Sequence, residues 1–250
     1  MHKPTHTPTT TPTPIPQTAD WQQSVKDWHK GFSDISNAHY PYPIDRQSAA
    51  YEPMHYFALL THLQPPPGRV LDWLYVKGAN GWPFLYWRNA DAPAHTHVDQ
   101  LDQEPGRRYD EDLQQAITAP VLTDGSPEGW VQLVLFRLLA GNTMLRWHAA
   151  SKSVTLICSQ DELRSQVAWQ SAGKHFMQNM EAATARAALA LDVTPTVDLS
   201  DAYIARVSVT RFSAWGGYYR QSWAMNRQGP HALRLEGEVQ QVAYGCGVRF

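Results

Sequence analysis

The sequence predicts an α+β protein: a largely antiparallel sheet with one or two helices packed on a face, plus N-terminal helices. Three observations support this class. Segments 130–139, 143–148 and 153–158 are apolar or rich in β-forming residues, and short polar turns join them, which requires antiparallel pairing. A segment with helical spacing follows at 159–191. A second group of strand-like segments then fills 202–244.

Composition limits the class of protein. With 43% hydrophobic residues among 250, the chain can form a sizeable core. The net charge of −2 argues against a nucleic-acid-binding protein, since such proteins usually have a clear excess of basic residues. The two Cys, with no secretory signal and no membrane-spanning apolar run, indicate a soluble, cytoplasmic protein without a membrane partner. Residues 1–18 contain seven Thr and five Pro, which predicts a disordered tail before a single α+β domain at 19–250.

Two helices are expected at the start of that domain. Trp21, Val25 and Trp28 begin an apolar series at helical spacing over 21–35. This helix either packs on the core or docks onto a protein partner. A second helix is expected at 51–63, where a run of three prolines follows.

The next elements are a hairpin and a long insertion. Residues 69–88 predict two strands around a glycine-containing turn at 78–81, with the proline of the second strand suited to a sheet edge. The polar insertion at 89–129 predicts one short helix at 110–117.

The central block is expected to contain three strands and a helix. Residues 130–139 are apolar on both strand faces, which predicts a central strand. Ser159 and Glu162 match a capping box, which marks the start of a helix. Gly173 interrupts the helical pattern, so the segment is either one helix or two helices that meet there.

The last third predicts further antiparallel pairs. Segments 202–214 and 218–226 flank Trp215-Gly216-Gly217, a hairpin signal. Segments 231–235 and 238–244 are expected to form another pair.

One short motif has the residue types of a metal site. His95, His97 and Asp99 alternate along the chain, and imidazole and carboxylate groups are suitable zinc ligands. The run is similar to His-x-His-x-Asp-His of metallo-β-lactamase-like hydrolases, with Gln100 in place of the last His. The resemblance implies zinc or another divalent metal that activates a water molecule. The other interpretation is a solvated loop with two His, and no other cofactor is indicated.

A second candidate is the thiol of Cys158, directly before the capped helix. A helix N-terminus favours a thiolate, and His148 on the neighbouring predicted strand would supply a base, so the two are the candidate catalytic residues. Against this, Leu156 and Cys158 share a strand face, which favours a buried thiol.

The third candidate is a strip along the late hairpin. Arg206 and Thr210 alternate on one strand and Tyr218 and Arg220 on the next. If the two sets face the same way, they form a strip that could bind an anionic ligand or a stacked base. The alternative is an ordinary solvent-facing side of a sheet.

The sequence has no P-loop, no Gly-x-Ser-x-Gly elbow and no Cys-x-x-Cys pair. We therefore expect a non-catalytic accessory protein that binds a ligand, or a protein partner through helix 21–35 or the late hairpin. The alternatives are a metal-dependent hydrolase that uses His95, His97 and Asp99, and a thiol enzyme centred on Cys158.

Overall fold

A six-stranded antiparallel sheet is the largest element of the structure, a computed structural model that confirms the α+β class. The structure describes residues 13–14, 52–76, 82–96, 116–140, 155–172 and 179–245. The strands are β1 (Thr13–Pro14), β2 (Leu63–Gln64), β3 (Arg69–Val76), β4 (Trp82–Asn89), β5 (Leu122–Thr123), β6 (Thr155–Ile157), β7 (Thr196–Asp198), β8 (Ile204–Ser213), β9 (Gly217–Asn226) and β10 (Leu233–Ala243). The helices are α1 (Pro53–Phe57), α2 (Pro127–Ala140), α3 (Gln160–Ser171) and α4 (Ala182–Leu189).

The order of strands in the large sheet is β1–β7–β8–β9–β10, and β6 also pairs with β8. β7 pairs with residues 206–208 of β8 and β6 with residues 210–212, so these short strands lie end to end along one side of β8. β9 pairs with the whole of β8 on the other side. Within the described ranges, β10 is therefore the last strand at its end of the sheet, with β9 as its neighbour.

The predicted hairpin between 202–214 and 218–226 is confirmed by β8 and β9. Its turn needs glycine at one position. Gly217 has a φ of +97°, and a Cβ there would lie 2.2 Å from the carbonyl oxygen of Val242 in β10. Glycine therefore allows the turn to lie against the neighbouring strand.

Both faces of the large sheet carry apolar side chains, since alternate residues of a strand point to opposite faces. On the side that we call the α2 face, β8 and β9 belong to a buried cluster with α2 and the β3–β4 hairpin. The sheet residues that define this face are Ala205, Val207, Val209, Trp223 and Met225. On the opposite side, called the α3 face, a second cluster includes residues of α3 and α4. This face is defined by Ile157, Phe212 and Tyr218.

The prediction of a central strand at 130–139 is wrong, because these residues belong to α2. The hydroxyl of Ser126 accepts a hydrogen bond from the backbone N–H of Gly129 at 3.0 Å, as an N-cap does. Pro127 occupies the first helical position, where no N–H is needed. Residues 130–137 are all buried, and all of them except Gln132 and Arg137 are apolar. Apolar side chains therefore lie all around the helix, and such a pattern does not separate a buried helix from a buried strand. The predicted return strand 143–148 lies outside the described residues.

The strand at 153–158 and the helix after it are confirmed in part as β6 and α3. The capping box is present: Ser159 Oγ accepts from the Glu162 N–H at 3.2 Å, and Glu162 Oε2 accepts from the Ser159 N–H at 3.1 Å. Two helices, α3 and α4, occupy the segment predicted as one or two, and Gly173 lies outside the described residues.

The early hairpin is confirmed by β3 and β4, which pair in register along their whole length. A buried carboxylate stabilises it. Asp72 accepts a hydrogen bond from Arg88 Nε, and Arg88 Nη1 donates to the carbonyl of Ala92 at 2.8 Å. The ion pair therefore attaches the chain that leaves β4 to the hairpin itself.

Two further element predictions are corrected. The helix expected at 51–63 ends as α1 at Phe57, because the chain becomes extended at β2 before the prolines, as residues preceding proline prefer. The pair expected from 231–235 and 238–244 is the single strand β10. Its register against β9 shifts between Leu235 and Gly237, so the glycine marks a bulge within the strand.

The amino-terminal predictions fall mostly on residues that the structure does not describe. Helix 21–35 lies outside the described residues. Within the predicted tail, Thr13–Pro14 pairs with β7. Of the short helix expected at 110–117, residues 116–118 are helical and residues 110–115 are not described. No helix in the described ranges has both the length and the apolar character needed to cross a membrane.

An ion pair on the α2 face links β10 to β8 across β9. Arg211 donates from Nε and Nη2 to the Glu238 carboxylate at 2.9 and 2.8 Å, and its guanidinium lies 4.3 Å from the centre of the Tyr219 ring. Gln221 Nε2 also donates to Glu238 at 2.5 Å. The Arg211 hydrogen bonds, with a smaller contribution from Gln221, hold the pKa of Glu238 below its ordinary value of 4.5.

We predict that Glu238→Gln lowers the unfolding free energy near neutral pH and that this loss disappears in acid. A carboxyl whose pKa is depressed by folding contributes fully above its unfolded-state pKa of about 4.3. The contribution falls as the pH drops through the lower pKa of the folded state. Urea unfolding of both proteins between pH 7 and pH 3 checks this. A difference between the two proteins that grows as the pH falls would contradict it.

Candidate functional site

The β8–β9 register brings together the four residues predicted to form a ligand-binding strip. Thr210 lies directly opposite Arg220, and residues that pair directly share a face of the sheet. By the same alternation, Arg206 and Tyr218 lie on this face, the α3 face. The condition for a strip, that the four share one face, is therefore met, and their different surroundings decide what each one does.

Arg220 makes its hydrogen bonds inside the fold. Its Nη1 donates to Thr210 Oγ1 at 3.2 Å, and its Nη2 donates to the Thr194 carbonyl at 2.9 Å and to Thr196 Oγ1 at 3.4 Å. The guanidinium thus attaches the chain entering β7 to the β8–β9 hairpin. The hydrogen bonds of the Arg220 guanidinium therefore stabilise the fold.

Thr210 and Tyr218 are fully buried, so the alternative of a solvent-facing side is wrong for these two residues, and neither is exposed to a ligand. The Tyr218 ring lies 4.9 Å from the ring of Phe212, in the cluster that α3 and α4 cover. Burial raises the pKa of Tyr218 above its ordinary value, and the neighbouring Tyr244 raises it further. The sequence shows the alternation of the strand but not which helix covers this end of the face.

Arg206 is the member of the strip that reaches solvent. Its guanidinium pairs with Glu236 at 3.3 Å and with Asp201 at 3.9 Å. Next to it, the hydroxyls of Ser208 and Ser222 lie 3.1 Å apart. Acidic groups therefore balance this open part of the face, which makes it a poor site for an anion.

The predicted catalytic thiol is in the core. Cys158 is fully buried in the cluster of the α2 face. Burial raises the pKa of the Cys158 thiol well above its ordinary value of 9.0, and the charge of Glu162 raises it further, while Arg220 opposes the shift. Although the thiol precedes a helix N-terminus, desolvation outweighs the helix dipole, so the alternative of a buried thiol is correct. His148 lies outside the described residues.

The metal motif is described only at its first residue. The backbone N–H of His95 donates to the hydroxyl of Tyr86 at 2.8 Å, and the two rings stack with centroids 4.7 Å apart. His97 and Asp99 lie outside the described residues. Within the part of the chain that is described, no group of three or more metal-ligating side chains converges.

The sequence analysis missed a His–Asp–Ser cluster at the start of α2. His62 Nδ1 lies 2.7 Å from Asp124 Oδ2 and 3.3 Å from Ser126 Oγ. The Ser126 hydroxyl also donates to Asp124 Oδ1 at 2.6 Å. In a nucleophilic triad the carboxylate and the hydroxyl bind opposite ring nitrogens, whereas here both contact Nδ1. The hydroxyl also caps the helix, so the cluster has a structural role.

Charge and hydrogen bonding agree with that role. Partial burial raises the pKa of Asp124, but the hydrogen bonds from Ser126 and His62 and the charge of His62 outweigh it, so the pKa lies below its ordinary value. The backbone N–H of His62 donates to Gln132 of α2 at 2.8 Å. Asp124-Gly125-Ser126-Pro127 ahead of an apolar run is a helix-start signal that could have revealed the cap.

A second missed feature is the outer edge of β10. Residues 234–241 are all exposed, and within the described ranges no strand pairs with the far side of β10. Two large apolar side chains lie among them: Leu235 is 43% exposed and Val239 is 65% exposed. The charged residues Arg234, Glu236 and Glu238 alternate with them. The edge therefore presents backbone hydrogen-bonding groups together with apolar and charged side chains.

No protein-family model, no curated protein and no solved structure matches this chain.

We predict that Arg220→Ala destabilises the protein by about 1–3 kcal/mol, because it leaves the Thr210 hydroxyl and the Thr194 carbonyl without their donor. Arg206→Ala is the matched control on the same face, and as an exposed ion-pair partner it should cost less than about 1 kcal/mol. Urea unfolding of the two variants measures both losses. Equal losses of unfolding free energy in the two variants would mean that the hydrogen bonds of Arg220 do not stabilise the fold.

We predict that the Cys158 thiol does not react in the folded protein. In a Cys246→Ser background, the thiol reagent DTNB at neutral pH should give no signal until denaturant is added, because the buried thiol stays protonated. The unfolded protein serves as the positive control. Rapid reaction in the folded state would restore the nucleophile hypothesis.

Proposed function

We propose that this protein is a non-catalytic binding protein that receives an extended segment of a partner polypeptide along the outer edge of β10. The observation that carries this proposal is an outer edge with which no described strand pairs, together with the exposed side chains of Leu235 and Val239. In strand addition, backbone hydrogen bonds supply affinity, and alternate side chains supply specificity. Both kinds of group are present on β10.

The other exposed surface of the sheet supports this choice. On the α3 face, Arg220 bonds to the fold, and Arg206 is balanced by Glu236 and Asp201. A ligand there would have to displace existing ion pairs. The edge of β10, by contrast, offers backbone groups that a partner strand can bind without breaking a described hydrogen bond.

The edge is also selective. The register of β10 against β9 shifts between Leu235 and Gly237 and again between Gln240 and Val242. Such bulges, together with edge charges, discourage pairing with arbitrary strands. We therefore expect the partner segment to be short and to place opposite charges against Arg234 and Glu236, since like charges directly opposite are unfavourable.

Site-specific photocrosslinking in the native source tests this proposal. The photoreactive residue p-benzoylphenylalanine is placed at Val239, on the edge, or at Tyr203, which is 73% exposed and lies outside β10. We expect a crosslinked partner polypeptide from position 239 and not from position 203. In the protein with the photoreactive residue at position 239, Leu235→Lys should weaken the crosslink. Arg164→Glu, at an exposed position of α3, should not. Equal crosslinking from both positions, or none from position 239, would overturn the proposal.

A metal-dependent hydrolase that uses His95, His97 and Asp99 is the second candidate. The observation that favours it is the stack of His95 on Tyr86, which fixes the imidazole at the start of the motif. Calorimetric titration with zinc tests it: binding should be lost in His95→Ala and His97→Ala and kept in His62→Ala. Absence of binding, or binding that survives both substitutions, rejects this candidate.

A further inference from the structure

We propose that the outer edge of β10 pairs with the same edge of a second copy of this chain, antiparallel and centred on Leu235. The inference rests on the proposed function, because it assigns an occupant to the same edge. The charge pattern of the strand itself points to this occupant, through the sequence Arg234-Leu235-Glu236. Antiparallel pairing about the central residue places Arg234 of each copy opposite Glu236 of the other.

The faces of these side chains allow the pairing. Glu236 contacts Arg206, which lies on the α3 face, and Arg234 lies 3.6 Å from Glu236, so both charges are on that face. Leu235 is directly opposite Trp223 and therefore points to the α2 face. Directly opposed residues of two antiparallel strands share a face, so each Arg234 can meet Glu236 of the second copy.

The charges also select this register over its neighbours. A two-fold axis at Glu236 or at Glu238 places that carboxylate opposite its own copy. An axis at Gly237 opposes Glu236 and Glu238, which lie on the α3 face and the α2 face respectively. An axis at Val239 opposes no charges. The register centred on Leu235 gives two opposite-charge pairs on one face, whereas those at residues 236 and 238 bring like charges together, which is unfavourable.

Burial favours the same centre. The side chain of Arg234 is 76% exposed and its contact with Glu236 of the same copy is long at 3.6 Å, so the guanidinium can turn towards a partner carboxylate. Leu235 is next to Trp223 and Leu233, which belong to the buried cluster of the α2 face. Two Leu235 side chains that meet at the axis would extend this cluster over the edge. One strand pair is smaller than a standard interface, so the association is weak and depends on concentration.

The pairing would have a consequence for partner binding. The second copy and the partner segment would use the same backbone groups of β10, so the two would exclude each other. The dimer would then keep the apolar edge covered until a partner displaces it.

Sedimentation equilibrium with charge reversal tests the pairing. We expect the wild-type protein to dimerise, and Arg234→Glu and Glu236→Arg each to weaken the dimer about tenfold or more, because each turns two attractive pairs into repulsive ones. The double variant Arg234→Glu/Glu236→Arg restores opposite charges and should regain most of the affinity. Circular dichroism of each variant checks its folding. A monomeric wild type, or a double variant no better than the single ones, would overturn the proposal.

Disulfide trapping tests the register. In a Cys246→Ser background, Leu235→Cys should oxidise to a covalent dimer, since its copies meet at the axis, whereas Val239→Cys should not. Trapping at 239 in place of 235 would overturn this register. The test of self-pairing can fail independently of the proposed function. If the protein is a monomer and still crosslinks a different polypeptide from position 239, the proposed function stands and self-pairing is rejected. If position 239 crosslinks only to a second copy of this chain, self-pairing stands and the proposed function is rejected.

Discussion

The antiparallel pairing of β8 with β9 is the constraint on which the rest of the structure depends. Because side chains alternate between faces, this register decides whether a residue points to the α2 face or to the α3 face. A shift by one residue would send Trp223 to the α3 face and bury Arg220 among the apolar side chains of the α2 face. Gly217 holds the register at the turn, where the close approach of Val242 excludes a side chain.

Once the register has fixed the two faces, the charged side chains of the sheet mainly form ion pairs and hydrogen bonds that connect its strands. Arg220 attaches the chain before β7 to the hairpin, and Arg211 attaches β10 to β8 through Glu238. Arg88 does the same for the early hairpin through the buried Asp72. Buried or half-buried ions remain stable only when they are paired and hydrogen-bonded. This requirement explains why the cations that resembled a binding strip are already occupied.

The edge of β10 follows from the same topology. β8 pairs with described strands on both of its sides, but β10 has the described β9 on one side only. An edge strand exposes unpaired N–H and C=O groups, and bulges and charges commonly protect it. β10 has both, yet it also exposes Leu235 and Val239. A partner strand that paired with this edge would bury both apolar side chains, which connects the fold to the proposed binding function.

The sequence by itself determined the features whose signals lie within a few residues of each other. These include the capping box at Ser159, the hairpin turn at Gly217, and the alternation of Arg206 with Thr210 and of Tyr218 with Arg220 along their own strands. It did not distinguish α2 from a buried strand, since a run that is apolar all round has no informative period. Only the tertiary structure decided that α3 and α4 bury Tyr218, that the α2-face cluster encloses Cys158, and that β10 is left at the edge. Burial and strand order depend on contacts between residues far apart in the chain, and no local pattern records them.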